Sequence, residues 1–160
     1  MSAKIDGPTN HVGYGLADDV LTVFDDCHED PCSVDLNVEL PANLALSLRT
    51  GSGDVRLDNL RGDISLATGS GDIAGHGLAG VKFSAETGSG DARLELSPAR
   101  RVHLKTGSGD VALTVPGGVY RLDVSTGSGD QKLAGVSNDA NAEDSIDVTT
   151  GSGDLKIEGI

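Results

Sequence analysis

The pentapeptide Thr-Gly-Ser-Gly-Asp occurs six times in this chain without a substitution. The copies begin at Thr50, Thr68, Thr87, Thr106, Thr126 and Thr150, at spacings of 18, 19, 19, 20 and 24 residues. A fixed period of roughly 20 residues is typical of folds built from stacked, equivalent units. The repeat therefore constrains the fold more strongly than any other feature of the sequence.

Residues on both sides of each pentapeptide alternate between apolar and polar. Leu44, Leu46 and Leu48 precede the first copy, and Val55 and Leu57 follow it. This alternation is typical of half-buried β-strands, and no stretch has the 3.6-residue rhythm of an amphipathic helix. The sequence therefore predicts an all-β fold in which each repeat consists of a strand, a glycine turn, a second strand and a second turn.

Two arrangements of these strands are compatible with the spacing. In a two-sheet β-solenoid, coils of about 18–20 residues stack roughly 4.8 Å apart, so that each residue lies over its equivalents. In an antiparallel β-meander or sandwich, Gly-Ser-Gly would close a hairpin. Six identical turns favour the solenoid, because stacked turns gain hydrogen-bonded ladders from identity and isolated hairpins do not.

The chain divides into a non-repeating segment, residues 1–43, and a repeat body, residues 44–160, which we expect to form one domain together. The first segment has 9 acidic and 1 basic side chains, and the body has 16 and 11. Alternating residues in the first segment predict strands that cap the first coil. Between the last two repeats, residues 138–144 form a polar loop. The last coil ends at Ile160 without a polar cap, which suggests end-to-end self-association there.

Each pentapeptide places one acid and one hydroxyl in a column along the stack. The acids, Asp54, Asp72, Asp91, Asp110, Asp130 and Asp154, are expected to point outward, where stacked carboxylates need flanking cations, backbone amides or a metal ion to offset their repulsion. Cations two residues further on are available in four repeats, as Arg56, Arg93, Lys132 and Lys156. The six threonines are expected to form a buried hydroxyl ladder. We expect no cofactor; calcium is the alternative, although the spacing fits the nonapeptide of calcium-binding β-rolls poorly.

Cys27 and Cys32 are the only cysteines of the chain. Four residues separate them, which predicts a short disulfide-closed loop in an oxidising compartment. A metal site that uses both thiolates with His28 is an alternative, although a closed zinc site needs four ligands. Free thiols are the remaining alternative.

Composition argues against several classes of function. The net charge of −13 argues against binding to nucleic acid or to an anionic lipid surface. No run of 18 apolar residues occurs, so we expect no direct membrane insertion by this chain. The four histidines are scattered, and Gly-Ser-Gly matches neither the G-x-S-x-G nucleophile elbow nor a dinucleotide-binding loop. We therefore expect a protein that is not an enzyme.

Two features of the chain are distinctive: tandem Thr-Gly-Ser-Gly-Asp followed by alternating residues, as in Thr50–Leu57, and the segment Cys32–Pro41. Together they resemble a bacterial family labelled as adhesins, a domain of unknown function that is common in actinobacterial envelope proteins. The resemblance covers residues 20–160. It implies a solenoid-like β domain displayed outside the membrane behind an N-terminal anchor. It supplies no catalytic or ligand residues.

The resulting hypothesis is a non-enzymatic repeat module, extracellular or associated with the cell envelope, that binds a protein or a cell-wall polymer. We expect an extracytoplasmic ectodomain without its native membrane anchor; a cytoplasmic location is the alternative. Two other functions remain open. One is a calcium-stabilised structural spacer, and the other is a glycan-cleaving enzyme that uses surface carboxylates.

Overall fold

A computed structural model describes residues 2–6, 12–17, 20–25 and 35–160 of the chain. The chain forms two compact units, residues 1–41 and residues 42–160. In the first unit, strand β1 (Ser2–Asp6) pairs antiparallel with β4 (Asp35–Glu39), and β2 (Val12–Ala17) pairs antiparallel with β3 (Val20–Asp25). The capping role expected for this unit stays a prediction.

The second unit is all-β within its described residues, and its eleven main strands are joined in one parallel sheet. The strands are β5 (Leu46–Ser52), β6 (Val55–Asp58), β7 (Ile64–Ser70), β8 (Ile73–Ser89), β9 (Ala92–Ser108), β10 (Val111–Val115), β11 (Gly118–Thr126), β12 (Gln131–Ala134), β13 (Val136–Asn138), β14 (Ser145–Ser152) and β15 (Leu155–Gly159). Parallel pairing of equivalent residues confirms the β-solenoid and excludes the antiparallel meander for this unit.

Each coil runs up one wall, turns at its pentapeptide and returns along a second wall. The first wall contains the strands that precede the pentapeptides, and the second wall contains those that follow. We call the stack of pentapeptide turns the glycine corner, and the opposite turns the far corner. The strands β8 and β9 continue through the far corner, each with 17 residues, and this joins the two walls into one sheet.

The core is a set of aliphatic columns between the walls. One column runs along the first wall: Leu46, Ile64, Phe83, Val102, Ile146 and Leu122. Its four central members are buried, whereas Leu46 and Leu122 are only partly buried. This difference shows that Leu46 and Leu122 belong to the two ends of the stack.

The coils do not stack in the order of the chain. We number them 1 to 6 after their threonines in chain order. Strand β14 of coil 6 pairs with β9 of coil 4 on one side and with β11 of coil 5 on the other. On the second wall, β15 of coil 6 likewise lies between β10 and β12. The spatial order is therefore 1-2-3-4-6-5, an exception to the tendency of consecutive elements to be neighbours.

The expectation that the last coil in sequence is the open end of the stack is wrong. Coil 6 contains the most completely buried residues of the core, with Ile146, Val148 and Ile157 at 0% exposure. Coil 5 is the end instead, and its Leu133 is 44% exposed. Both strands of coil 6 are paired on both sides, so this coil has no free strand edge through which a second copy could associate.

Residues 139–144 carry the chain from one side of β11 to the other. The Asp139 N–H donates to the Tyr120 carbonyl, and the Arg121 N–H donates to the Asp144 carbonyl, both at 2.9 Å. The Tyr120 carbonyl and the Arg121 N–H belong to the same peptide unit, and in a trans peptide these two groups point in opposite directions. The polar loop predicted between the last two repeats is therefore the crossing that allows coil 6 to enter between coils 4 and 5.

The inserted coil predicts an unusual distribution of stability. Ile146→Ala should lower the free energy of unfolding by about 2–5 kcal/mol, because it opens a cavity at a fully buried site. Leu122→Ala, in the same column of coil 5, should cost clearly less because its side chain is partly exposed. Urea denaturation of both variants measures the difference. An equal or smaller loss for Ile146→Ala would contradict the interior position of coil 6.

Candidate functional site

The glycine corner is a site built by the close stacking of six turns. A Cβ atom on Gly88 would lie 2.5 Å from the carbonyl oxygen of Gly69 in the neighbouring coil, closer than a real Cβ approaches a carbonyl. The second glycine of the same turn, Gly90, has a φ of 139°, a conformation that residues with a Cβ rarely adopt. Both glycines are therefore needed for the turns to stack at the spacing of the strands.

The six aspartates form a continuous ladder along this corner. In each link, Oδ1 of one aspartate accepts a hydrogen bond of 2.8–2.9 Å from the backbone N–H of the aspartate in the next coil. The ladder follows the spatial order of the coils: Asp54, Asp72, Asp91, Asp110, Asp154 and Asp130. Backbone amides therefore offset part of the repulsion between the carboxylates.

The cations expected beside this ladder contribute less than predicted. Arg93 forms an ion pair of 2.7 Å with Asp91 of its own turn. Arg56 pairs instead with Asp58 at 3.1 Å, and Lys156 pairs with Glu158 at 2.8 Å. Within the described residues, Arg93 is thus the one member of the predicted set that pairs with a ladder aspartate.

The six threonines form a second, inward ladder one residue before the glycines. Thr68, Thr87, Thr106 and Thr150 are buried, and those of coils 1 and 5 are partly buried. Thr150 Oγ1 lies 3.1 Å from the Gly109 carbonyl of coil 4 and 3.2 Å from the carbonyl of Ser152 in its own turn. Each hydroxyl therefore has a carbonyl acceptor where the apolar core meets the turn.

Asp91 is the ladder aspartate whose pKa is lowered from its ordinary value. The N–H of Asp110, which stabilises the charged form, is the largest cause; burial acts in the opposite direction, and Arg93 lowers the pKa further. At the far corner, burial and then the charge of Asp144 raise the pKa of Tyr120, whose hydroxyl donates to the Pro116 carbonyl at 2.7 Å.

A second charged surface lies along the far corner and the adjoining start of the first wall, and the sequence reasoning missed it. We call it the basic edge. It contains five exposed cations: Arg61, Lys82, Arg100, Arg101 and Arg121. Lys82 and Arg101 are register partners in neighbouring coils, and Arg121 follows two coils further along the same row. The signal in the sequence was that Lys82, Arg101 and Arg121 each precede the first inward residue of their strands.

The cations of the basic edge form no ion pairs within the part of the chain that the structure describes. None of the five forms a salt bridge with another described residue. One carboxylate lies in the same row, at Asp63, where Oδ1 accepts a 3.0 Å hydrogen bond from the Lys82 backbone N–H. The body therefore separates its charge, with aspartates stacked at the glycine corner and unpaired cations at the opposite corner.

Metal and thiol sites were also predicted from the sequence. Among the described residues, no three His, Cys, Asp or Glu side chains come together in an arrangement that could hold a metal ion. Cys27, Cys32 and His28 lie outside the described residues, so both the disulfide and its alternatives stay predictions. Two histidines contact carboxylates on the outer surface: His76 Nδ1 lies 2.5 Å from Glu95 Oε2, and His103 Nδ1 lies 3.1 Å from Asp147 Oδ2.

The Asp91 contacts predict a loss of stability in acid. Because its pKa is lower in the folded than in the unfolded state, its contribution is complete above the unfolded value of about 4 and is lost as the pH falls through the folded value. Asp91→Asn should therefore reduce the dependence of the unfolding free energy on pH below about 5. Urea titrations from pH 7 to pH 2.5 measure this slope. Asp123→Asn, on the outer face outside the ladder, is the control and should leave the slope close to that of the parent chain.

The calcium hypothesis is tested by thermal melting. If the ladder aspartates bind calcium, millimolar calcium should raise the melting temperature and excess chelator should lower it, because a ligand specific to the folded state stabilises it. We expect no shift in either direction, because every ladder carboxylate except that of Asp130 already accepts an amide hydrogen bond. A rise that disappears in Asp110→Asn would contradict this expectation and support the spacer.

Comparison with known proteins places the chain in a family. The model of the Toastrack DUF4097 family, a domain of unknown function, matches residues 33–160. No curated protein matches the chain, and no solved structure does. The described residues contain no helix of the length and apolar character that a membrane crossing requires. With 128 consecutive residues matched, the chain belongs to the Toastrack DUF4097 family.

Proposed function

We propose that this protein is a non-enzymatic module of the cell envelope that binds an anionic polymer through its basic edge. The observation that carries the proposal is the row of unpaired cations at coil periodicity. The exposed side chains of Lys82, Arg101 and Arg121 contribute little to the stability of the fold, because no described carboxylate pairs with them. Cations without partners in an acidic protein are well suited to a ligand of opposite charge.

The geometry of the row favours an extended ligand over a small one. Lys82 and Arg101 lie one coil apart, about 4.8 Å, and Arg101 and Arg121 lie two coils apart, about 9.6 Å, by the spacing of strands. A cell-wall polymer with repeated phosphate or carboxylate groups can contact several cations of such a row at once. A row of this kind binds through several weak contacts, so affinity should fall stepwise as cations are removed.

The glycine corner supports a structural role in this proposal. Its aspartates and threonines are used in hydrogen bonds between coils, and these bonds hold the row on the opposite corner at a fixed spacing. The proposed location is outside the cytoplasmic membrane, where wall polymers lie. The module would act there as an adhesive or organising element without catalysis.

Sedimentation of the protein with purified phosphodiester-linked wall polymer tests the proposal. The double variant Lys82→Gln/Arg101→Gln should bind about tenfold more weakly than the parent chain, and binding by the parent chain should weaken as salt is raised. The matched control, Arg49→Gln/Lys132→Gln, removes two exposed cations outside the basic edge and should bind like the parent chain.

Three results would overturn the proposal. The first is equal binding by the two double variants. The second is no binding by the parent chain at low ionic strength. The third is turnover of any wall glycan that one surface carboxylate substitution abolishes, because this would support the glycan-cleaving enzyme instead.

A further inference from the structure

The two ends of the repeat stack present complementary halves of the same turn-to-turn interface. Between coils 6 and 5, the glycine corner is joined by bonds from Gly153 N–H to the Ser128 carbonyl and from Asp130 N–H to Asp154 Oδ1, at 2.8 and 2.9 Å. Thr126 Oγ1 also donates to the Gly153 carbonyl at 3.0 Å. The backbone bond and the aspartate bond recur in the same direction at the other turn interfaces, so the ladder has a head and a tail.

At coil 5, the groups that would bond to a further turn have no such turn among the described residues. The other five ladder aspartates each accept a bond from the next coil in the direction of coil 5. Among the described residues, no coil lies beyond coil 5 to donate to the Asp130 carboxylate. Strand β12 has β15 as its one partner among the described strands, and β11 from Arg121 onward has only β14. The N–H groups of Gly129 and Gln131 and the carbonyls of Thr126 and Gly129 occupy the positions that bond to the next turn elsewhere in the stack.

Coil 1 carries the opposite half. In the other five turns, a Cβ atom on the first glycine would meet a carbonyl of the neighbouring turn on the side of coil 1. At Gly127, for example, it would lie 2.5 Å from the Gly151 oxygen. At Gly51 and Gly53, by contrast, a Cβ atom would have no neighbour within 4 Å among the described residues. Within residues 42–160, nothing therefore occupies the face of coil 1 on which an earlier turn would stack at this corner.

The segment that crosses β11 leaves the corner of coil 5 accessible. Strand β13 pairs with Gly118–Tyr120, and Asn138 Oδ1 accepts a 3.0 Å bond from the Leu122 N–H. This cover ends four residues before Thr126, about 13 Å along the strand. The inward residues near the corner, Leu48 of coil 1 and Val124 of coil 5, are only partly buried, so apolar surface is left at both ends as well.

We propose that a second copy of this chain binds head to tail, with the coil 1 turn of one copy stacked on the coil 5 turn of the next. Asp54 N–H of the second copy then donates to the Asp130 carboxylate, and its Thr50 hydroxyl donates to the Gly129 carbonyl. The ladder continues across the contact. Because the two halves differ, the association is heterologous and continues beyond a dimer.

Two substitutions block one half each. Gly51→Ala adds a methyl group that has no described neighbour within 4 Å in the single copy. In the stacked pair this methyl group meets the Gly127 carbonyl of the neighbouring copy, as Gly69→Ala would meet the Gly51 carbonyl within one chain. Asp130→Ala removes the last carboxylate of the ladder. The control, Gly118→Ala, adds the same methyl group at the far corner, where its nearest neighbour is the Tyr120 ring at 3.8 Å.

Sedimentation velocity of the full chain over a hundredfold concentration range tests the proposal. The parent chain and Gly118→Ala should show a mass that rises with concentration beyond the dimer. Gly51→Ala alone and Asp130→Ala alone should remain monomeric, with melting temperatures at low concentration close to that of the parent chain. Their equimolar mixture should form dimers and nothing larger, because each variant retains one intact half.

Other outcomes overturn the proposal. A parent chain that stays monomeric throughout the range excludes stacking. Association of Gly51→Ala equal to that of the parent chain places the contact elsewhere, and a dimer that never grows indicates a two-fold contact. Asp130→Asn gives an independent check, since it keeps an acceptor oxygen and should associate more strongly than Asp130→Ala.

Discussion

The close approach of backbone to backbone at the glycine corner is the constraint on which the repeat body depends. Parallel strands fix the spacing of the coils, and at that spacing a turn residue such as Gly88 faces the carbonyl of Gly69 where a side chain would have to lie. Glycine is the residue that removes this conflict. The hydroxyl and carboxylate that flank the glycines then form the bonds between turns, so the invariance of the pentapeptide has a packing cause before it has any functional one.

The hydrogen-bonded ladders make the stack directional. Every ladder aspartate except Asp130 accepts a bond from the coil on one side. The hydroxyls of Thr87, Thr106 and Thr150 donate to a carbonyl of the coil on the other side. A solenoid held by apolar columns alone would have similar ends, because aliphatic side chains have no donor or acceptor. The polar corner makes the ends of this stack different, while the cations at the far corner remain outside all of these bonds.

Much of the fold followed from the sequence, because the alternation of apolar and polar residues is specific to strands. The strand positions and the inward threonines derive from this local alternation, and the identity of the six turns favoured parallel stacking over the meander. The order of the coils did not, because six identical turns fit one another in any order. One local signal was present: Gln131 lies in a column otherwise occupied by Val55, Ile73, Ala92, Val111 and Leu155. A polar residue there is tolerated in coil 5 because that coil forms the end of the stack. The basic edge was missed because its residues are neighbours only after the coils are aligned.

The insertion of coil 6 between coils 4 and 5 also determines how the molecule is completed during synthesis. A polypeptide emerges from the ribosome with its N-terminal part first. Coils 1 to 4 can add to one another as they appear, but the surface on which coil 5 rests is formed by residues made after it. The fifth coil reaches its native partners only after residues 139–144 have crossed β11, and after strands β14 and β15 have entered the gap. A chain interrupted late in synthesis would therefore lack an interior layer, and its outer coil would lack its native partner strands.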